Sequence, residues 1–171
     1  MKFLENDLEE IIYTSGRDVL EERGLLIEGE LKRQLKIGNY GIADLVSITK
    51  PRFVSSKFGI PYDIELGEIT IYELKKEQIG IAAFLQALDY VKGIKEYLNY
   101  RNKDHLFTIN MTLIGKKIDK SGSFCYISEL LQIQSEDRFN SGRIDFYTYD
   151  YKIDGLHFYQ QNNFVLTNQG F

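Results

Sequence analysis

Two stretches of the chain carry residues that could do chemistry together. One is Gly41-Ile42-Ala43-Asp44-Leu45-Val46-Ser47-Ile48; the other is Ile71-Tyr72-Glu73-Leu74-Lys75-Lys76. Both read as apolar strands interrupted by charge. In a strand, residues two apart share a face and lie about 7 Å apart, so Glu73 and Lys75 project together. Asp44 shares its face with Ile42, Val46 and Ile48. Charged groups inside such strands must be paired, bound to a metal or functional, because burying them alone is costly. If the two strands are neighbours, Asp44 and Glu73 converge on one cation. Oxygen donors of this kind suit Mg²⁺, Mn²⁺ or Ca²⁺. A zinc site is not expected, because the two histidines, His105 and His157, and the one cysteine, Cys125, are far apart in the sequence.

The acidic-X-Lys tripeptide alone means little. With 25 acidic residues and 14 lysines in 171 positions, chance supplies roughly two. The chain has three, at Glu30-Leu31-Lys32, Glu73-Leu74-Lys75 and Asp150-Tyr151-Lys152. What separates Glu73-Leu74-Lys75 is its place at the end of an apolar strand that leads into a long helix. Strand ends of this kind are where α/β folds place ligands.

The elements that must position these residues follow from periodicity. Residues 4–23 read as one amphipathic helix carrying Leu4, Leu8, Ile11, Ile12, Val19 and Leu20, with a weak point at Gly16. Residues 25–36 and 42–49 read as a hairpin around Gly38-Asn39-Tyr40-Gly41. Residues 50–67, with both prolines, read as an excursion, and 68–75 as a strong strand. Residues 80–99 give the clearest helix, with Ile81, Phe84, Leu85, Leu88, Val91, Ile94 and Leu98 as its stripe. Residues 107–114, 144–151 and 156–159 read as further strands, the last two near a sheet edge. Residues 123–134 read as a short helix or strand, and 162–171 as a last strand or tail. The expected fold is α/β in the order αβββαβ, with a mixed sheet flanked by helices. The hairpin is antiparallel, and the strand after the long helix is parallel to the one before it.

Length and composition fit a single domain spanning residues 1–171. No apolar run reaches the ~18–20 residues of a membrane span, so no membrane partner is expected. The N-terminus turns acidic at once and lacks the apolar core of a signal peptide. A lone cysteine excludes an internal disulfide and fits a cytoplasmic setting. The net charge of −4 lies wholly in residues 1–100, which hold 13 basic and 17 acidic groups; residues 101–171 hold 8 of each. Charges are screened over roughly 8–10 Å, so a local basic stripe can still hold phosphates.

Taken together, Gly41-Ile42-Ala43-Asp44-Leu45-Val46, Ile71-Tyr72-Glu73-Leu74-Lys75-Lys76 and Ala83-Phe84-Leu85-Gln86-Ala87-Leu88-Asp89-Tyr90 resemble the core of PD-(D/E)XK, or restriction-endonuclease-like, nucleases. They are especially similar to the branch of NucS-like and related small nuclease domains. The resemblance covers about residues 4–115, with 116–171 as a sheet extension. It departs from the family pattern in having no proline before Asp44. It implies a Mg²⁺- or Mn²⁺-dependent deoxyribonuclease, an endonuclease rather than an exonuclease. The metal ligands would be Asp44, Glu73, the backbone carbonyl of Leu74, and Glu9 from the N-terminal helix, with Glu5 and Glu10 as rivals. Lys75 would position or deprotonate the attacking water, and Gln86 would orient Lys75 or touch a phosphate. Tyr90 lies one turn further on and would border the site.

The resemblance implies DNA as the partner, without fixing its structure. Cutting both strands with a one-site domain commonly uses two copies, so a homodimer is compatible, and no interface is legible. The competing function is an inactive nuclease-fold module for nucleic-acid binding or assembly. The aromatics Phe146, Tyr147, Tyr149, Tyr151, Phe158 and Tyr159 could stack on unpaired bases, although alternating aromatics are more often sheet core. Lys116, Lys117 and Lys120 form a small basic cluster read as a solvated loop. The two histidines are read as surface or packing residues.

Overall fold

The computed structural model describes residues 5–54, 64–119, 124 and 142–161. Leu4, Lys120, Cys125, the 123–134 segment apart from Phe124, the 162–171 segment and the side chain of His105 lie outside the described residues.

Two short helices open the chain, α1 (Glu5–Thr14) and α2 (Arg17–Glu22). The single helix expected over 4–23 is therefore broken. Ser15 and Gly16 separate the two, and Gly16 is in extended conformation at the start of α2, the cost that glycine imposes inside a helix. Leu8, Ile12 and Leu20 still bury one stripe against the sheet. The hairpin is β1 (Glu30–Lys36) and β2 (Ile42–Ile48), paired antiparallel. Leu25 and Ile27 are buried, but they precede β1 instead of belonging to it.

The stretch read as an excursion also contains strand. The short β3 (Arg52–Val54) pairs with the start of β4 (Ile64–Leu74), so β4 begins earlier than its apolar alternation suggests. Two-residue strands β5 (Gln78–Ile79) and β7 (Lys117–Ile118) pair parallel beside the main sheet, and neither is legible from periodicity. Between them come α3 (Ile81–Tyr100) and β6 (Phe107–Gly115). The strands β8 (Ile144–Lys152) and β9 (Gly155–Gln160) are the last elements among the described residues.

The protein is α/β. Its main sheet runs β1-β2-β4-β6-β8-β9, with β3 alongside β4. The helix α3 carries the chain from β4 to a parallel β6, as expected from a strand–helix–strand crossover. The neighbours β1, β2 and β4 are antiparallel in sequence, and β8 and β9 close the far edge. One core layer lies between the sheet and α3, built on Val46, Ile69, Ile71, Phe84, Ala87 and Met111. The other lies between the sheet and α1 with α2, built on Leu8, Ile12, Leu45, Tyr72, Leu74 and Ile114.

The buried face of α3 differs from the expected stripe. Leu85 and Leu88 are 53% and 38% exposed, and Ala83, Ala87, Tyr90 and Gly93 are buried in their place. Small residues bring the helix close to the sheet: a Cβ at Gly93 would lie 2.6 Å from the Tyr40 ring. The late aromatics are mainly core. Phe146, Tyr147, Tyr149 and Phe158 are buried, so they offer no stacking surface; Tyr151 and Tyr159 are exposed. Among the described residues, no helix is long and apolar enough to cross a membrane.

Candidate active site

The pairing of β2 with β4 sets the site. Leu45 is opposite Tyr72 and Ile48 opposite Ile69. Asp44 adjoins Leu45, where the pairing of β2 with β4 ends, and it lies near enough to Glu73 for its charge to raise that carboxyl's pKa. The formal pairing stops at Leu45, because the Asp44 carboxylate replaces a strand carbonyl: Leu74 N–H donates to Asp44 Oδ2 at 2.9 Å. On the other side of β4, Lys75 N–H donates to the Ile114 carbonyl at 2.8 Å. A strand residue directs its N–H and C=O to the same side. The Leu74 carbonyl therefore faces the gap holding Asp44.

Glu73 is fully buried. Lys75 Nζ donates to its Oε1 at 2.7 Å, while Oε2 has no hydrogen-bond partner among the described residues. Buried polar atoms in folded proteins are nearly always satisfied, so this oxygen marks a site that its own side chains do not complete. Burial raises the Glu73 pKa to about 7; the Lys75 hydrogen bond opposes this, and the Asp44 charge adds to it. Asp44 is also raised, chiefly by burial, against the Leu74 N–H and Lys75 and with help from Glu9 and Glu5. Burial pulls Lys75 down, but the Glu73 hydrogen bond and the carboxylates around it hold it above the ordinary lysine value. With these neighbours alone Lys75 is an ammonium.

The N-terminal helix brings two carboxylates near this end of the sheet by different routes. Glu5 accepts a hydrogen bond from the Lys76 backbone N–H at 3.3 Å, and its charge bears on Asp44, Glu73 and Lys75. Glu9 is buried and held by the Arg33 guanidinium and by Gln34 Nε2 at 2.6 Å. Arg33 also pairs with Glu10. Gln34 reaches Glu9 from a left-handed backbone, φ 50°, which non-glycine residues seldom adopt. The β1–β2 register runs unshifted past it, from Arg33–Leu45 to Leu35–Ala43, with no pair recorded at Gln34 itself. Of the three acidic candidates on α1, Glu5 touches the backbone just beyond β4 and Glu9 is committed to β1.

Gln86 is exposed on α3 and donates to Tyr90 Oη at 2.8 Å; it makes no hydrogen bond to Lys75. Tyr90 Oη donates in turn to the Ile42 carbonyl at 2.8 Å. Burial raises the Tyr90 pKa, and Glu73, Asp44 and Lys75 all act on it electrostatically. The structure thus brings Asp44, Glu73, Leu74 and Lys75 together, sets Tyr90 at their border, and leaves Gln86 acting through Tyr90. Arg33 and Gln34, which fix Glu9, escaped the sequence analysis: an ion pair between an N-terminal helix and an edge strand has no local signature. His157 Nε2–H donates to the Asp154 carboxylate at 3.0 Å on the surface, far in sequence and role from these groups.

The donors fit a small hard cation. Among the described residues no group of three or more Asp, Glu, His or Cys side chains is placed to hold a metal. Mg²⁺ is commonly bound by one or two carboxylates and retained waters. Asp44 and the unpartnered Oε2 of Glu73, with the Leu74 carbonyl, match that pattern.

No family model, curated protein or solved structure matches the chain.

Proposed function

We propose that this protein is a divalent-metal-dependent nuclease that hydrolyses phosphodiester bonds in DNA through Asp44, Glu73 and Lys75. The supporting observation is the buried Glu73 carboxylate, with one oxygen on Lys75 and the other unpartnered, near enough to Asp44 to feel its charge. Mg²⁺ or Mn²⁺ held by Asp44, Glu73 and the Leu74 carbonyl would neutralise phosphate charge and make a bound water more acidic.

The chain's own groups supply the rest. Lys75 carries a positive charge on the same strand face as Glu73. From there it can hold the attacking water or a phosphate oxygen, and its three donors allow both. Asp44 is fixed in orientation by the Leu74 N–H. Tyr90 ties α3 to the β2 strand beside Asp44 through the Ile42 carbonyl, so Gln86 and Tyr90 are positioning residues. Glu5 can supply a further carboxylate, whereas Glu9 acts through its pairing with Arg33.

The test is cleavage of end-labelled single-stranded, duplex and flap DNA with Mg²⁺ or Mn²⁺, comparing wild type with Glu73→Gln and Lys75→Ala. Metal-dependent cleavage lost in both variants supports the proposal. Cleavage that persists in both refutes it. If nothing is cut and Mn²⁺ leaves the melting temperature unchanged, the inactive binding-module alternative replaces it.

A further inference from the structure

A cleft of about 670 Å³ opens between the β1–β2 hairpin and the C-terminal half of α3. That volume is ample for a small organic ligand. Its walls include Tyr40, Tyr97 and Tyr100, with Ile37 and Gly93 at its base. Tyr97 and Tyr100 are 58% and 82% exposed. Gly93 lets Tyr40 and Ile37 pack directly onto α3 at the cleft floor, since a Cβ there would meet them at 2.6 and 2.7 Å.

The charge around this cleft runs against that of the whole chain. Lys32 and Lys36 line it. Lys92 lies over the Tyr40 ring at 5.6 Å, and Arg101 over Tyr97 and Tyr100 at 5.5 and 6.0 Å. Of the carboxylates there, Glu96 accepts the Tyr40 hydroxyl at 2.7 Å, Glu30 pairs with Lys32 at 3.3 Å, and the charge of Asp89 also bears on Tyr40. An acidic protein thus concentrates cations and aromatic rings in one place. Position ties the cleft to the carboxylates. Gly93 lies one helical turn beyond Tyr90 on the buried face of α3, and Tyr90 is bonded to the strand carrying Asp44.

We infer that this cleft is a subsite for unpaired nucleotides flanking the scissile phosphate, with bases stacking on Tyr97 and Tyr100 and phosphates held by Lys32 and Lys36. The inference rests on the nuclease reading for its orientation toward Asp44 and Glu73. Aromatic platforms combined with cations are the general means of holding single strands without sequence choice. A duplex with blunt ends offers no free base to the rings. The enzyme therefore prefers substrates with a single-stranded segment beside the cut.

The experiment measures fluorescence anisotropy of labelled oligothymidylate and of a blunt duplex in EDTA, so that no cleavage intervenes. Wild type is compared with Tyr97→Ala/Tyr100→Ala and with Lys36→Gln. Both tyrosines are exposed, so the double variant should keep its melting temperature. It should bind oligothymidylate at least about tenfold more weakly, the size of one lost stacking contact, and the blunt duplex unchanged. Lys36→Gln should reduce the salt dependence of binding by about 0.7 in log–log slope.

Wild-type oligothymidylate affinity in the double tyrosine variant, an equal loss for the blunt duplex, or no binding by wild type would each overturn the inference. A parallel cleavage assay with Mn²⁺ separates it from the nuclease reading. Tyrosine-dependent binding without cleavage keeps the subsite and discards the nuclease. Cleavage with tyrosine-independent binding does the reverse.

Discussion

Replacing Glu73 with glutamine should stabilise the folded protein at neutral pH and leave it unchanged in acid. Glu73 is fully buried, and its pKa is raised from 4.5 to about 7. Below pH 4.5 the carboxyl is protonated in both the folded and the unfolded chain, so it does not penalise folding. As pH rises above 4.5 the unfolded chain releases the proton while the folded chain keeps it. The folded state then binds more protons, and unfolding free energy falls with pH. The loss continues until about pH 7 and then levels off. At about 1.4 kcal/mol per pH unit, the full penalty is about 3 kcal/mol.

Glutamine keeps an oxygen for Lys75 and carries no charge at any pH. Glu73→Gln should therefore match wild type near pH 4, apart from a constant offset, and gain about 3 kcal/mol over it by pH 8. The assay is urea unfolding in EDTA across that range, followed by tyrosine fluorescence, since the chain has twelve tyrosines and no tryptophan. Taking the difference between the two proteins cancels every other titrating group that the substitution leaves alone. Asp44, raised for the same main reason, should give Asp44→Asn a smaller effect of the same sign. A stability difference that stays flat with pH would refute the reasoning, because it would mean that Glu73 titrates as an ordinary exposed glutamate.

Other outcomes follow from the same geometry. At pH 8, Mg²⁺ or Mn²⁺ at 100 times its Kd should stabilise wild type by about 2.7 kcal/mol in thermal unfolding, and should not stabilise Asp44→Asn or Glu73→Gln. Lys75→Met should cut the cleavage rate by roughly 10²–10⁴-fold, the usual worth of a positioned proton-transfer or charged group, with substrate Kd little changed in EDTA. Arg33→Ala should lower the melting temperature by freeing Glu9, while Glu5→Gln should instead weaken the metal-induced stabilisation; the two effects exchanging places would reverse the assignment of the α1 carboxylates. Leu85→Gln should change stability by less than about 0.5 kcal/mol, and Ala87→Leu should cost about 1–3 kcal/mol, as chemical denaturation will show if the buried face of α3 is the one described.

The site was legible wherever the physics is local. Alternation over Ile69, Ile71 and Glu73 marked a strand, and a charge inside an apolar strand marked Asp44. The hairpin turn and the long helix then implied the strand neighbours that bring Asp44 close to Glu73. Three features depended on distant contacts instead. The phase of α3 follows alanine and glycine, since closeness to the sheet favours small residues over Leu85 and Leu88. The β5–β7 pair is too short to carry a periodic signal. The choice among α1 carboxylates turns on Arg33 and Gln34 in β1, more than twenty residues away in sequence.

Burial first, and the α1 carboxylates in smaller measure, push this centre toward protonation. The charge of Glu5 bears on Asp44 and Glu73, while Lys75 supplies one positive charge to them. Arg33 cannot relieve them, because its guanidinium is engaged by Glu9 and Glu10. Without another cation the charged forms of both carboxylates are destabilised, which is the direction of both shifts. A divalent ion would reverse the balance, favouring the ionised forms and satisfying the Oε2 of Glu73. Binding should consequently release protons at pH 6, where Glu73 is largely protonated, and nearly none at pH 8.5. Titration calorimetry in buffers of different ionisation enthalpy measures that number directly. Equal proton release at the two pH values would place the ion away from Glu73.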